Sequence, residues 1–351
     1  MVVENTATDG CGRPVTSHAR QGPPTGPARV AFVRPALPSV TPTISVDCPD
    51  PAIRTAVQAW LAQGRLEPRC PVTLAIHVGD PVRDPSDERD VRAVFRQPGV
   101  VVRAGPPRGG VCIEWDQAPA VAELAPGATT AWVVLSPVAA ARLEECLRTF
   151  FLAVLVFLLR RTGWHHIHAA LAVDPRERGW LIAGNAEAGK STTAALLASC
   201  GWGVGTDDVS FLTSHARGVL AIAYHAPIAL RPGGHRLLQH VAAGGTLLPE
   251  RRKVGYWPED LGGRWISRVE PEIILFTSVG ANGAATHAAP LGRREALLEL
   301  IRWSAWVILE PDLAEPHLAL LTTLARQARS YRVTLGRDLF AHPARLAEVI
   351  A

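Results

Sequence analysis

A chain of 351 residues, 48% of them hydrophobic, holds enough apolar material for two domains with full cores, which excludes a protein disordered throughout. Its formal net charge of +4 is mild and no basic block stands out, so no nucleic-acid partner is expected. The six cysteines, at positions 11, 48, 70, 112, 146 and 200, form no C-x-x-C pair and read as reduced thiols without zinc.

Residues 1–28 are rich in Gly, Pro, Thr and Ser without periodicity and read as a disordered tail. No apolar signal segment is present there, and a cytoplasmic location is expected. From 29 to 137, β-prone runs ("RVAFV", "TLAIHV", "VRAVFR", "GVVVRA", "GVCIEW", "TAWVVL") alternate with turn signals, and the helical "PAIRTAVQAWLAQ" interrupts them. This predicts a small α+β N-terminal domain, with "DPVRDPSDERD" on a solvated loop. Residues 139–162 read as one helix. Its run "FFLAVLVFLL", Phe150 to Leu159, is too short to span a bilayer of about 30 Å and is expected as a buried core helix.

The second domain, 138–351, continues with strand "IHAALAV", turn "DPRERG", strand "WLIAG", a Gly-rich loop and helix "KSTTAALLASC". Strands follow at "WGVGT", "VSFLT" and "LAIAYH", then a Gly/Pro/Arg-rich stretch over 231–265. Strand "EIILFT", helix "RREALLELIRWSAW", a helix over 313–328, strand "YRVTL" and a final helix complete an α/β domain.

The loop, Gly184-Asn185-Ala186-Glu187-Ala188-Gly189-Lys190-Ser191, matches G-x-x-x-x-G-K-[ST] between a predicted strand and a predicted helix. Its glycines permit the torsions that turn successive amides toward an anion, and the helix points its positive end at the same place. Lys190 is one of only two lysines among 36 basic residues, and it would reach the β- and γ-phosphates of a nucleotide. The Ser191 hydroxyl would ligate Mg²⁺. Asp207 and Asp208 follow Lys190 by 17 and 18 residues, across one helix and one short strand, which returns the chain beside the loop. Of two such carboxylates one can help hold Mg²⁺ while the other takes a proton from an attacking hydroxyl. His166 and His168 share one face of the preceding strand; strand histidines are ordinarily packed, and no third metal ligand accompanies them. Arg231, Arg236, Arg251, Arg252 and Lys253 could clamp a phosphate or an acidic peptide, or form a solvated face. Trp202, after the helix-ending Gly201, is expected to pack on that helix.

The stretch "IHAALAVDPRERGWLIAGNAEAGKSTTAALLASCGWGVGTDDVSFL" resembles the catalytic domain of bacterial HPr kinase/phosphorylase, over about 50 residues. That family has a histidine on the preceding strand, a G-D-S-G-x-G-K-S loop and an Asp-Asp at this distance from the lysine. A looser likeness through "HAPIALRP", "PEIILF" and "YRVTLGRD" is similar to a divergent HPr-kinase-related branch found with modified-peptide gene clusters, some of whose kinases act on lasso-peptide precursors. The resemblance implies an HPr-kinase-like α/β fold with a mixed sheet. It implies ATP on Gly184, Asn185, Ala186, Glu187, Ala188, Gly189, Lys190, Ser191 and Thr192, and Mg²⁺ on Ser191 and Asp207. Asp208 is the implied base, supported by Asp207 and His168. The chain departs from the family at Asn185 and Ala186, where Asp and Ser are usual. It departs again at "HAPIALRPGGHR", where the family's E-x-R-G-x-G signature would supply a glutamate and this sequence supplies no acidic residue. The missing glutamate leaves a second metal contact, phosphorolysis and HPr itself as substrate open.

The reading is therefore an ATP-dependent kinase acting on a hydroxyl, a serine of a peptide or small protein, with a nucleotide-binding regulatory or biosynthetic accessory protein as the alternative. A transport or motor ATPase is disfavoured, since there is no L-S-G-G-Q and no apolar strand ending in Asp-Glu. The acceptor and the oligomeric state, a homo-oligomer included, stay open.

Overall fold

The computed structural model describes residues 43–68, 70–81, 93–105, 110–238, 245–248, 252–281, 284–304, 307 and 309–350. The expected tail over 1–28, the strand "RVAFV", most of "DPVRDPSDERD" and Arg251 lie outside them. The chain folds as mixed α/β, around two large sheets and a small one.

The first sheet comes from β1 (Ile44–Asp47), β2 (Val72–Val78), β3 (Ala93–Gln97), β4 (Val100–Ala104), β5 (Val111–Trp115), β6 (Ala120–Leu124) and β7 (Thr130–Leu135), in the order β1-β2-β7-β6-β5-β4-β3. Helix α1 (Pro51–Gly64) connects β1 to β2, and their parallel pairing requires such a crossover. Asp50 caps α1, its Oδ1 accepting from the Ala52 and Ile53 amides.

The expected single helix over 139–162 is instead segmented. It comprises α2 (Pro137–Ala141), α3 (Leu143–Cys146), a π-helical turn over Leu147–Phe151 and α4 (Leu152–Arg160). Within that wider turn the adjacent Phe150 and Phe151 are both fully buried, with rings edge-on at 5.5 Å. No described helix is long and apolar enough to cross a membrane.

The second sheet is built on β8 (His165–Val173), β9 (Gly179–Gly184), β10 (Gly203–Thr206), β11 (Val209–His215) and β12 (Gly218–Ala223). Helix α5 (Lys190–Ser199) follows β9. A three-stranded sheet then forms from β13 (Ile228–Leu230), β14 (Thr246–Leu248) and β15 (Lys253–Tyr256), with α6 (Pro232–Leu238) after β13. The second sheet resumes with β16 (Arg264–Trp265), β17 (Arg268–Val269), β18 (Pro271–Val279), β19 (His287–Leu291) and β20 (Arg329–Leu335). Helices α7 (Arg293–Arg302) and α8 (Pro311–Gln327) separate β19 from β20, and α9 (Asp338–Ala341) and α10 (Arg345–Glu348) close the described chain.

The strand order is β17-β12-β11-β8-β9-β18-β20-β19, and β10 pairs the far half of β8. The parallel strands β9 and β18 are apolar on both faces over Trp180–Ala183 and Ile273–Phe276, as a doubly covered sheet demands, whereas β20 alternates buried Val333 and Leu335 with polar Arg332 and Thr334. One face packs on α5, through Ile182, Leu275, Val333 and the small residues Ala170, Ala194 and Ala198. The other packs on α7 and α8, through Ala183, Ile274, Phe276, Leu300 and Leu324. A further cluster joins the first sheet and α1 to α4, and includes Phe211 of β11 and Tyr224 after β12. Cys48, Cys70, Cys112 and Cys146 stand outside any disulfide. Cys200 stands in a disulfide, against the expectation of reduced thiols throughout.

Candidate functional site

The site forms where β9 ends. Gly184 lies so close to β18 that a Cβ there would meet the Thr277 carbonyl oxygen at 2.8 Å, and Gly189, at φ 87°, would meet Leu335 at 2.6 Å. Both positions therefore need glycine. Glu187 also takes a left-handed conformation, φ 68°, and its carboxylate pairs with Arg231. The Asn185 side chain accepts from the Ala186 amide at 2.9 Å, and the Ala188 amide donates to the Asn185 carbonyl at 3.1 Å. Gly189 caps α5 without a side-chain bond, so the amides of the first turn keep their donor capacity at the positive end of the helix.

Lys190 is buried, and its Nζ donates to the carbonyls of Gly184 at 2.8 Å and Asn185 at 3.0 Å. Burial holds its ammonium below the ordinary lysine range, against the pull of Asp208 and Asp207. Thr192 approaches α6, where a Cβ on Gly234 would stand 3.0 Å from its hydroxyl.

β8 is antiparallel to both neighbours: Ala169 pairs Ala183 of β9, and His168 pairs Val209 of β11. That register sets His168 beside the beginning of the loop and beside Asp208, and His168 Nδ1 lies 2.6 Å from Asp208 Oδ1. The Thr206 hydroxyl accepts from the Asp208 and Val209 amides at 3.3 Å each, fixing the turn that presents both aspartates. Asp207 turns inward, 4% exposed, whereas the Asp208 side chain is 39% exposed. The Ser191 hydroxyl and the Ala229 amide, the latter at 3.1 Å, both hydrogen-bond Asp207. Burial and the charge of Asp208 nevertheless push the Asp207 carboxyl above the usual aspartate range.

Thus Lys190, Ser191, Asp207, Asp208 and His168 share one neighbourhood at the loop. His166 packs edge-on against Phe211, and burial, with His168 beside it, pushes its imidazole down to about 3. Among the described residues no group of three or more His, Cys, Asp or Glu is arranged to hold a metal. Trp202 packs edge-on against Trp180, centroids 5.0 Å apart, and its amide bonds back to Leu197 of α5.

Two contributors were not singled out from sequence. The Ala229 amide comes from β13, whose three residues "IAL" are too few to show a period. The Trp303 carbonyl accepts the His168 amide at 3.0 Å, and nothing local marks it. Lys253, placed in sequence only within a basic cluster, acts electrostatically on both Asp207 and Lys190. Its rarity was the available signal, since both lysines of the chain converge here.

No protein-family model and no curated protein matches the chain. Among solved structures, the HPr(Ser) kinase/phosphatase from Coxiella burnetii is similar over 53% of this chain and 88% of its own, at 14% identity and a TM-score of 0.29. A likeness that slight carries no argument about function, which has to come from the residues of the site itself.

Proposed function

We propose that the protein is an ATP-dependent kinase that transfers the γ-phosphate to a hydroxyl, a serine of a peptide or small protein. The observation that carries the reading is the contact between His168 and the half-exposed Asp208, beside a buried lysine at the uncapped start of α5. The residues suit Mg²⁺-ATP on their own chemistry. A buried ammonium bonded to loop carbonyls and the uncapped amides of α5 form an anion site. A buried carboxylate hydrogen-bonded to Ser191, with its ionised form disfavoured, is matched to a hard cation. Bound Mg²⁺ would neutralise charge that develops on the phosphate oxygens.

The chain's residues then divide the work. The loop amides and Lys190 hold the phosphates, and Ser191 with Asp207 would hold the metal. His168 orients Asp208, which takes the proton of the acceptor hydroxyl. The hydroxyl oxygen bonds to the γ-phosphorus as the bond from that phosphorus to the bridging oxygen of ADP breaks.

Replacing Asp208 by Asn should leave ATP affinity within a few-fold and lower transfer by roughly 10²–10⁴-fold, the usual worth of a positioned base. The assay is labelled γ-phosphate with serine peptides, beside calorimetric ATP titration. Equal labelling rates for wild type and variant would remove Asp208 from the role. One observation favours the accessory-protein alternative: "HAPIALRPGGHR" carries no acidic residue for a second metal contact. ATP binding with no labelling of any hydroxyl acceptor would select it.

A further inference from the structure

Next to the loop, on the sheet face that packs α7 rather than α5, lies a cleft of about 550 Å³. Its volume falls in the range of small-ligand and short-segment sites, roughly 300–1,000 Å³. One end is formed by Gly184 and Asn185, the first residues of the loop. Another wall is Trp303, whose carbonyl accepts the His168 amide at 3.0 Å, and His168 in turn holds Asp208. The cleft therefore runs from the opening of the phosphate loop to the residue bonded to the strand that carries the base's partner. It borders the loop directly and meets His168 through the Trp303 backbone, so an acceptor held there would approach the γ-phosphate from the first residues of the loop.

The lining is chemically mixed. Trp303, partly buried, offers apolar surface, with the core residue Phe276 behind it. Arg302 and Arg332 bring two guanidinium groups that share one carboxylate: Glu299 Oε2 lies 3.6 Å from Arg302 Nη1, and Glu299 Oε1 lies 3.4 Å from Arg332 Nη2. Both separations are long for charge-assisted bonds, which run near 2.7–2.9 Å. The two arginine side chains are 68% and 56% exposed, while Glu299 is 18% exposed. The surplus is one positive charge, with guanidinium donors directed to solvent and an internal carboxylate standing in for an external one.

We propose that this cleft is the acceptor subsite and that it takes a peptide segment with acidic residues beside the hydroxyl. Arg302 and Arg332 bind its carboxylates, and Trp303 covers its apolar part. The inference rests on the kinase reading for the word acceptor, and its test separates the two.

Fluorescein-labelled serine hexapeptides, one rich in Asp and one rich in Lys, are titrated by anisotropy onto the full chain with Mg²⁺-ADP present. The acidic peptide should bind about 10-fold tighter or more, in line with paired charge contacts at a partly desolvated site. Arg302→Glu with Arg332→Glu should reverse that preference, whereas Glu299→Gln, which removes the internal competitor, should tighten acidic binding by about 3-fold. Arg217→Glu, on the hairpin between β11 and β12, should change neither. Equal affinities for the two peptides, no acidic binding up to millimolar concentration, or a preference untouched in the folded double variant would overturn the cleft's role. Arginine-dependent acidic binding without any γ-phosphate transfer would retain the cleft and sink the kinase. Transfer indifferent to peptide charge and to both arginines would do the reverse.

Discussion

An ionised Asp207 is costly in the folded protein. It is buried, next to a second carboxylate, and its folded-state pKa lies above the ordinary 3.8. The folded protein thus binds its proton more tightly than the unfolded chain does. Stability is lost as pH rises from the ordinary value through the raised one, and the loss persists at neutral pH. Asn at this position keeps both bonds: its carbonyl accepts from the Ala229 amide, and its amide donates to Ser191, whose hydroxyl can accept as well as donate. Asp207→Asn should therefore stabilise the nucleotide-free protein by about 0.5–2 kcal/mol at pH 7, an increment that shrinks toward zero below pH ~4. It should abolish the Mg²⁺ dependence of ATP binding. Urea denaturation at several pH values checks the first claim and calorimetry the second; a variant less stable than wild type at pH 7 would refute the argument. At this scale the loop and the aspartate pair were legible because their chemistry is local and their spacing short. Ala229, Lys253 and Trp303 were not, because they arrive from elsewhere in the chain and contribute a backbone group or a long-range charge.

The β8–β9 turn shows how far single elements are written in the sequence. Buried Asp174 accepts from the amides of Arg176 and Arg178 at 2.9 Å each, from Arg178 Nε at 2.7 Å and from the Trp180 indole at 3.3 Å. Burial alone would raise its carboxyl; the bonds from Arg178 outweigh that and hold it below the ordinary 3.8. Its contribution is present above the unfolded pKa and is lost as pH falls through the depressed folded one. Asp174→Ala should cost about 2–4 kcal/mol at pH 7, because it leaves several donors, one on a buried tryptophan, without an acceptor. The cost should shrink toward pH 2, as urea midpoints across that range would reveal. The end of α5 was similarly legible. Gly201, at φ 81°, donates to Ala198, and the Trp202 amide donates to Leu197, the paired bonds of a Schellman cap. Strands β13 to β17 were hidden because each is two to four residues long. β19 was hidden by Pro290, which is tolerated because β19 is an edge strand pairing only β20.

At the scale of the molecule, the segment from Leu147 to Arg160 decides how the two large sheets relate. Composition marked Phe150 to Leu159 within it as a buried helix; the run is buried, across the π-helical turn and α4, but burial alone does not say against what. Phe150, Leu155 and Phe157 are fully buried in a cluster that also holds Val133 and Leu135 of the first sheet and Phe211 of the second. Phe211 stands in β11, three positions after Asp208, so the packing of the first sheet reaches the strand that follows the Asp207-Asp208 turn. α1 adds a second contact: a Cβ on Gly64 would meet the Tyr224 ring at 2.4 Å, and the His225 amide donates to the Gly64 carbonyl at 3.1 Å. A shared core of this kind predicts that the two sheets unfold together. Phe157→Ala should remove about 3–5 kcal/mol, the usual cost of emptying a buried phenylalanine site. It should lower the melting of both sheets as one transition, because neither half retains its cover without the helix. The check is thermal unfolding followed in parallel by far-ultraviolet circular dichroism and by the fluorescence of a single tryptophan in each half, Trp115 or Trp180, with the others replaced by Phe. Coincident midpoints, shifted equally by the substitution, are expected. If the Trp115 signal moves and the Trp180 signal does not, the helix belongs to the first sheet alone and the site is independent of it.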